Sequence, residues 1–373
     1  MKANKVIVIG GGLAGLTAAL ELSRNGIEVM VIEKTSYPRH KVCGEYVSRE
    51  VVPYLNHLGV DIETGVSIDH LKLSTQKGKS FSFKLPLGGV GISRYALDDL
   101  LYQRCLREGV SFCFDTATGL HYEDEGFELS TLNGDTYTTS LVVAAYGKRS
   151  NLDKSLNRRF IKEKSPWLAV KAHYQLPDFP FNQVALHNFE GGYCGLSKTE
   201  TGAVNMCYLA SYRNFSQYRN IDDFNQNVLT RNPFLDNFLK EAKPLWKSPL
   251  TIAQVSFAKK EAVADHILFC GDTAGLIHPL CGNGMAMAIH SAKIAAEGII
   301  KFFNKASVNR SSLEQQYQKH WKQEFGQRMR LGRTLQHILL RDGLSRSMIA
   351  GLSRFPSLTR KVIQKTHGKP ISV

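Results

Sequence analysis

The sequence predicts an α/β protein with a parallel sheet, an inserted α+β domain built on an antiparallel sheet, and a helical C-terminal segment. Three observations predict it. A strand–helix–strand pattern opens the chain, apolar and polar residues alternate from Trp167, and an Ala-rich helical stretch from Met285 runs into a basic tail.

Val6-Ile7-Val8-Ile9 is a run of four β-branched residues and reads as a buried parallel strand. Gly10-Gly11-Gly12-Leu13-Ala14-Gly15 then makes a tight turn, and Ala14 to Asn25 continues with apolar residues at helical spacing. Val29 to Ile32 is a second strand ending on Glu33. Gly10, Gly12 and Gly15 occupy the G-x-G-x-x-G frame of a Rossmann-like dinucleotide site. Gly10 permits the turn, Gly12 lets backbone approach a pyrophosphate, and Gly15 lets helix pack on strand. Leu13 and Ala14 carry bare N–H groups of the helix start, and Glu33 stands where a carboxylate meets ribose hydroxyls. This stretch alone leaves NAD and FAD both open.

The loop after Glu33 carries Lys34, Arg39 and Lys41, either closing over a phosphate or simply solvated, and a helix follows from Arg49 to Leu58 with Ser48 as its cap. Strands are predicted at Leu71–Ser74 and Ser80–Phe83, and a helix from Arg94 to Glu108. Strand character resumes at Val110–Phe114. Asn133-Gly134 predicts a type I′ hairpin between Phe127–Leu129 and Tyr137–Thr139. Leu141–Ala145 is a further buried strand. From Trp167, Leu168, Val170, Ala172, Tyr174 and Leu176 alternate with Ala169, Lys171, His173 and Gln175, predicting a sheet with one apolar and one largely polar face. Strands at 184–189, 193–196 and 203–212 and helices near 221–230 and 233–242 complete the insertion. Ile267–Phe269 leads into Gly271-Asp272, and Met285–Phe303 is helical. The expected division is 1–70, 86–155 and 251–305 for the cofactor domain, 71–85 and 156–250 for the substrate domain, and 306–373 for the tail.

Composition bounds the function. Of 373 residues, 43% are hydrophobic, and no apolar run reaches membrane-spanning length. Seven cysteines show no C-x-x-C pair or zinc spacing, so no metal is expected and the simplest reading is reduced thiols in the cytoplasm. Residues 301–373 hold 15 Lys+Arg against 3 Asp+Glu, so nearly all of the net charge of +14 sits in the tail.

Taken in order, the Gly10–Gly15 motif with Glu33, the Ser93-Arg94 helix entry, Ala145 to Ser150, and Gly271-Asp272-Thr273-Ala274-Gly275 with Pro279 and Gly282-Asn283-Gly284 resemble FAD-dependent oxidoreductases of the glutathione-reductase-like class. Residues 5–300 carry the resemblance. Within that class the chain is most similar to the geranylgeranyl reductase, aromatic hydroxylase and flavin-dependent halogenase superfamily, and Pro38 to Glu45 resembles the Cys-Gly loop of its geranylgeranyl reductase branch. The resemblance implies that Asp272, after Gly271, meets ribityl hydroxyls and that Arg94 lies beside the pyrophosphate. It also implies that Gly282, Asn283, Gly284 and Met285 present a helix N-terminus to the flavin, and that Val42, Cys43 and Gly147 border the cofactor. The electron donor it implies is NAD(P)H, although Tyr146-Gly147 departs from the family's Asp-Gly. The halogenase W-x-W-x-I-P signature is absent.

The resemblance points to redox chemistry on a bulky apolar isoprenoid, lipid or polyketide. Reduction or desaturation of a carbon–carbon bond leads, hydroxylation by a monooxygenase is the alternative, and a halogenase or a non-catalytic flavin carrier is a minor reading. Cys43, Glu45, Tyr46 and His278 are the candidates for proton handling. His173 and His187 are weighed as cavity-facing and read as structural or exposed, and Cys281 as packing. Trp167, Tyr174, Phe189, Tyr193 and Tyr208 suggest a roomy apolar cavity. Ile338–Leu340, Leu344, Met348, Ile349, Leu352 and Phe355 recur at helical spacing among basic residues. The favoured reading packs that face on the cofactor domain, and the other lays it on an anionic membrane or an acidic carrier protein, giving a peripheral location. No motif accompanies the charge that would indicate nucleic acid.

Overall fold

The computed structural model describes residues 5–278, 281–305, 307–339 and 363–372, with 341, 343, 344, 347, 351 and 354 between them. Pro279 and most of the amphipathic stretch from Leu340 to Lys361 lie outside the described residues.

A six-stranded sheet runs Val263–Ala264, Ile267–Phe269, Leu141–Ala144, Lys5–Ile9, Glu28–Ile32, Ser111–Cys113. Every pairing is parallel except that of the short edge strand Val263–Ala264. Val6, Ile7 and Val8 are fully buried, as befits a strand covered on both faces. The helix Leu13–Arg24 packs on this sheet and against Gly284–Asn304. Gly10 takes φ +100°, and a Cβ there would lie 2.6 Å from the Ala145 carbonyl oxygen. A Cβ on Gly15 would overlap the Gly10 carbonyl oxygen, so the close helix–strand contact admits glycine only.

The second sheet has nine strands. Its main path is Lys243–Pro244, Trp167–Gln175, Val204–Ser211, Gly192–Lys198, Gln183–Phe189, Val66–Ser74, Ser80–Gly91, Tyr46–Ser48, with Leu250–Ala253 also pairing Trp167–Gln175. All junctions are antiparallel except Gln183–Phe189 with Val66–Ser74. One face of Trp167–Gln175 packs, as Leu168 and Val170, beneath the helices Ile221–Asn227 and Pro233–Glu241. The other face corrects the expectation of a polar surface, because Lys171 is 0% and His173 5% exposed. A loop from the first third of the chain covers them and supplies their partners.

The hairpin between Gly126–Thr131 and Thr136–Thr139 is also corrected. Only Gly134 has positive φ (+94°), and its N–H donates to Thr131 O. Leu132-Asn133 therefore forms a right-handed turn closed by a left-handed glycine, the longer hairpin solution. The segment after Ser48 begins as a 3₁₀ turn at Arg49–Val51 before the helix Val52–His57, and Ser48 Oγ accepts from Glu50 N at 3.4 Å.

In the tail, Arg310–Leu339 is one long helix lying on Gly284–Asn304. Tyr317 is buried in that contact and donates to Phe269 O at 2.6 Å. No helix among the described residues is long and apolar enough to cross a membrane.

Candidate functional site

A cavity of about 1160 Å³ runs between the two sheets and is walled by both. The N-terminus of the Leu13–Arg24 helix opens on it, where Gly12, Leu13 and Ala14 line the space. Gly15 does not reach the cavity and acts by packing. Two cations converge on Gly12: a Cβ there would lie 3.7 Å from both Arg94 Nη2 and Lys41 Nζ. Asp98 holds the pair, chelating Arg94 at 2.6 and 2.8 Å and meeting Lys41 at 3.1 Å. Burial would raise the Asp98 carboxyl, but Arg94 and Lys41 outweigh it and hold it below the ordinary range. Two cations on one carboxylate, beside bare helix N–H groups, leave net positive charge where a pyrophosphate needs it. The residues present therefore fit a dinucleotide such as FAD.

At one end Glu33 Oε2 accepts from Gly11 N at 2.8 Å and pairs with Arg39 at 2.8 Å. Tyr37 Oη donates to Gly11 O at 2.5 Å, and a Cβ on Gly11 would overlap that hydroxyl. Among the described residues no hydrogen bond reaches Glu33 Oε1, which leaves it as an acceptor for a hydroxyl. Lys34 and Arg39 line the same end.

Towards the other end, Gly147, Gly271, Asp272, Gly282, Gly284 and Met285 line the cavity. Gly271 (φ +59°) and Gly282 (φ +62°) both sit in left-handed backbone. Gly147 N donates to Thr273 Oγ1 at 2.8 Å, and Lys260 Nζ bridges Lys148 O and Asp272 O, each at 2.8 Å. Burial pushes the Lys260 ammonium down to about 8. Tyr146, at the departure from Asp-Gly, donates to Asp153 at 2.8 Å, and Asp153 is paired with the buried Arg158 at 3.1 Å. Asn283 is fully buried and does not line the cavity; its Nδ2 donates to Thr366 O at 2.9 Å.

The loop bearing Val42, Cys43 and Glu45 is pinned by the polar row of the second sheet. Asn205 Nδ2 donates to Cys43 O at 3.1 Å, Ser197 Oγ to Gly44 O at 3.5 Å, and Lys171 Nζ to Lys41 O at 3.1 Å. Lys171 also pairs with Glu45, whose Oε1 accepts from Arg94 N at 2.7 Å and whose Oε2 meets His173 Nε2 at 2.7 Å. Burial would raise the Glu45 carboxyl, yet the His173 hydrogen bond and the Lys171 charge keep it lowered. Glu45 is thus an ionised anchor rather than a proton donor, held with φ +54° by its partners. Among the described residues, His40, Glu45 and His173 form the one cluster with metal-like spacing. Lys171 and the Arg94 amide already occupy its carboxylate.

Cys43 and Tyr46 both line the cavity, the Cys43 sulfur beside the Arg94 guanidinium. Burial raises the Tyr46 phenol and keeps it protonated. His278 does not line the cavity. It packs between the rings of Tyr193 and Phe257, and burial pushes it down to about 3, so it is a neutral ring at pH 7. His187 faces the helix-covered side of the sheet, bonded to Ser74 at 2.8 Å. Cys281 is 3% exposed at the cavity wall, its thiol pushed up to about 12 by burial.

The apolar lining differs in part from expectation. Of the five aromatic residues expected there, Tyr193 and Tyr208 line the cavity and Trp167, Tyr174 and Phe189 do not; Leu71, Leu73, Phe83, Leu85, Val184 and Leu186 also line it. Asp98, Lys171, Asn205 and Lys260 were missed in the sequence. Only Asp98 had a local signal, its helical i,i+4 spacing from Arg94.

The chain is 24% identical over 369 residues to conditioned medium factor receptor 1 of Dictyostelium discoideum, covering 90% of this chain and 71% of that protein. It is 25% identical over 338 residues to digeranylgeranylglycerophospholipid reductase of Methanococcus vannielii, covering 86% and 82%. The flavin-dependent brominase Bmp2 superposes with a TM-score of 0.79 at 18% identity, covering 97% of this chain and 92% of that one. With residues 3–323 matching its model, the chain belongs to the FAD-binding domain family, and FAD is the dinucleotide that this site binds.

Proposed function

We propose that the protein is an FAD-dependent oxidoreductase acting on a bulky apolar substrate. The observation that carries the reading is the continuity of the cavity, from the Arg94–Lys41 cradle to an arm walled by Leu71, Phe83, Leu85 and Val184. FAD bound there supplies two-electron redox chemistry, with NAD(P)H proposed as its reductant. The chain's own groups bind and orient. Arg94 and Lys41 neutralise the pyrophosphate, Glu33 accepts from the ribose, Asp272 meets the ribityl chain, and the helix starting at Gly284 sets a positive dipole end against the flavin. The apolar arm aligns the substrate and excludes water.

Hydroxylation is the better supported chemistry. Of the four residues considered for proton delivery, Glu45 is held ionised, His278 is outside the cavity, and burial raises the Tyr46 phenol and so weakens it as an acid. That leaves Cys43, with Tyr46 as a weak acid beside it, to deliver a proton to a reduced carbon. Carbon–carbon bond reduction is the second reading, favoured by the placement of Cys43 on the cavity wall and by the likeness to a reductase. The test is incubation of the holoenzyme with NADPH and prenylated or polycyclic phenols, in air and under argon, followed by mass spectrometry. Gain of one oxygen atom in air only establishes hydroxylation. Gain of two hydrogens under argon, lost in Cys43→Ser, establishes reduction. NADPH-independent flavin with no product from either class would overturn the reading.

A further inference from the structure

The strand Ser80–Gly91 passes out of the cavity through its wall. Phe83 lines the cavity alone, and Leu85 lines both the cavity and a hollow of about 20 Å³ on its far side. Leu87 lines that hollow alone. Leu85 is 5% exposed and Leu87 37%, so the hollow lies towards solvent. The C-terminal segment repeats the crossing. Thr366 lines the cavity, Ile363 and His367 line both spaces, and the exposed Gln364 lines only the hollow. The two spaces are thus divided by a partition one side chain thick.

The local structure explains why Leu85 stands there. His70 pairs with Lys84 and Ile68 with Gly89, so Leu85 to Gly88 bulge opposite Asp69 alone. The bulge turns Leu85 into a buried cluster with Tyr46, Ile68 and Ile363. Leu71, Phe83 and Val184, which wall the apolar arm, pack against the same cluster. A Cβ on Gly89 would lie 2.3 Å from the Tyr46 ring, so that ring is seated on bare backbone. Leu85 and Ile363 are the two aliphatic residues that face both spaces. An apolar chain gains affinity with each methylene it buries, until the next one meets a packed wall.

We propose that Leu85 and Ile363 set the length of the apolar chain that the site accepts. The substrate is then an extended chain of limited length, its far end against this partition. The proposal rests on the reading that the substrate is bulky and apolar, and deepens it. Leu85→Ala with Ile363→Ala removes about six carbons, enough to join the arm to the outer hollow and admit one more isoprene unit.

A ladder of chain lengths tests it. Holoenzyme is titrated with para-prenyl-, para-geranyl-, para-farnesyl-, para-geranylgeranyl- and para-geranylfarnesylphenol, following the flavin spectrum. Wild-type affinity climbs along the ladder and then falls about tenfold at the first chain too long for the arm. The double truncation moves that fall one rung up, and Leu85→Phe moves it one rung down. Leu87→Ala, beyond the partition, leaves it in place. If melting shows that the double variant does not fold, the single truncations carry the test, each recovering about threefold at the first excluded rung. Affinity that climbs through the whole ladder in wild type would overturn the partition. So would a fall at the same rung in wild type and every folded truncation. Failure of wild type and variants to bind any rung would overturn the apolar substrate, and the length limit with it.

Discussion

Lys171 and Glu45, 126 residues apart, form an ion pair whose two side chains are both 0% exposed. It joins the second sheet to the loop that carries Cys43, and His173 completes it from the same strand.

Removing one partner of that pair is expected to be severe. Lys171→Met leaves a buried carboxylate short of its cation and should cost about 3–5 kcal/mol in urea unfolding. The sign with pH follows from the lowered Glu45 carboxyl. Its stabilisation is complete above the ordinary carboxylate range and is lost as pH falls through the lower folded-state value. Wild type should therefore lose stability more steeply on acidification than Glu45→Gln; parallel curves would contradict the assignment.

Asp98 should matter to cofactor affinity without touching the cofactor. Arg94→Ala removes a charge-assisted donor and should weaken FAD about 10- to 100-fold by fluorescence titration. Asp98→Asn should weaken it less, because both cations remain but lose their common anchor. Unchanged affinity in both variants would disprove the cradle.

Two glycines separate packing from mere sequence motif. Gly15→Ala forces a methyl into the Gly10 carbonyl and should destabilise the protein by about 1–3 kcal/mol or more. Gly44→Ala meets nothing within 4 Å and should leave the melting of FAD-free protein unchanged within about 0.5 kcal/mol.

Lys260 gives an alkaline signature of the same sign as the Glu45 effect, displaced to higher pH. Its folded value of about 8 lies below the ordinary 10.5, so between these values the unfolded chain binds more protons. Its contribution to stability therefore rises with pH across that window. Wild type minus Lys260→Met should show that rise in unfolding free energy; a flat difference would mean the ammonium is not desolvated.

The opening strand–helix–strand unit was legible because its chemistry is local. Gly10, Gly12 and Gly15 act through backbone geometry that spacing alone specifies, and the structure places Gly10 and Gly12 at the cavity and Gly15 in the helix–strand contact. The Trp167–Gln175 strand was legible in its period but not in its polar face. Lys171 and His173 read only as members of a polar face because their partner, Glu45, lies more than a hundred residues earlier. Glu45 itself read as a proton-handling residue, since nothing near it in sequence announces three donors. The apolar lining was sought in aromatic residues; Tyr193 and Tyr208 do reach the cavity, but Tyr174 and Phe189 went to the core beneath the helices, and aliphatic side chains from other strands share the wall. Pattern identifies which residues face inward; it does not say which of two interiors they face.

The cavity is walled at one point by residues 10–14 and at another by residues 363–367. A ribosome-bound chain can therefore shape the glycine turn early, but it cannot seal the chamber until residue 367 has emerged. A chain cut short before that residue would carry the glycine turn but lack this part of the cavity wall.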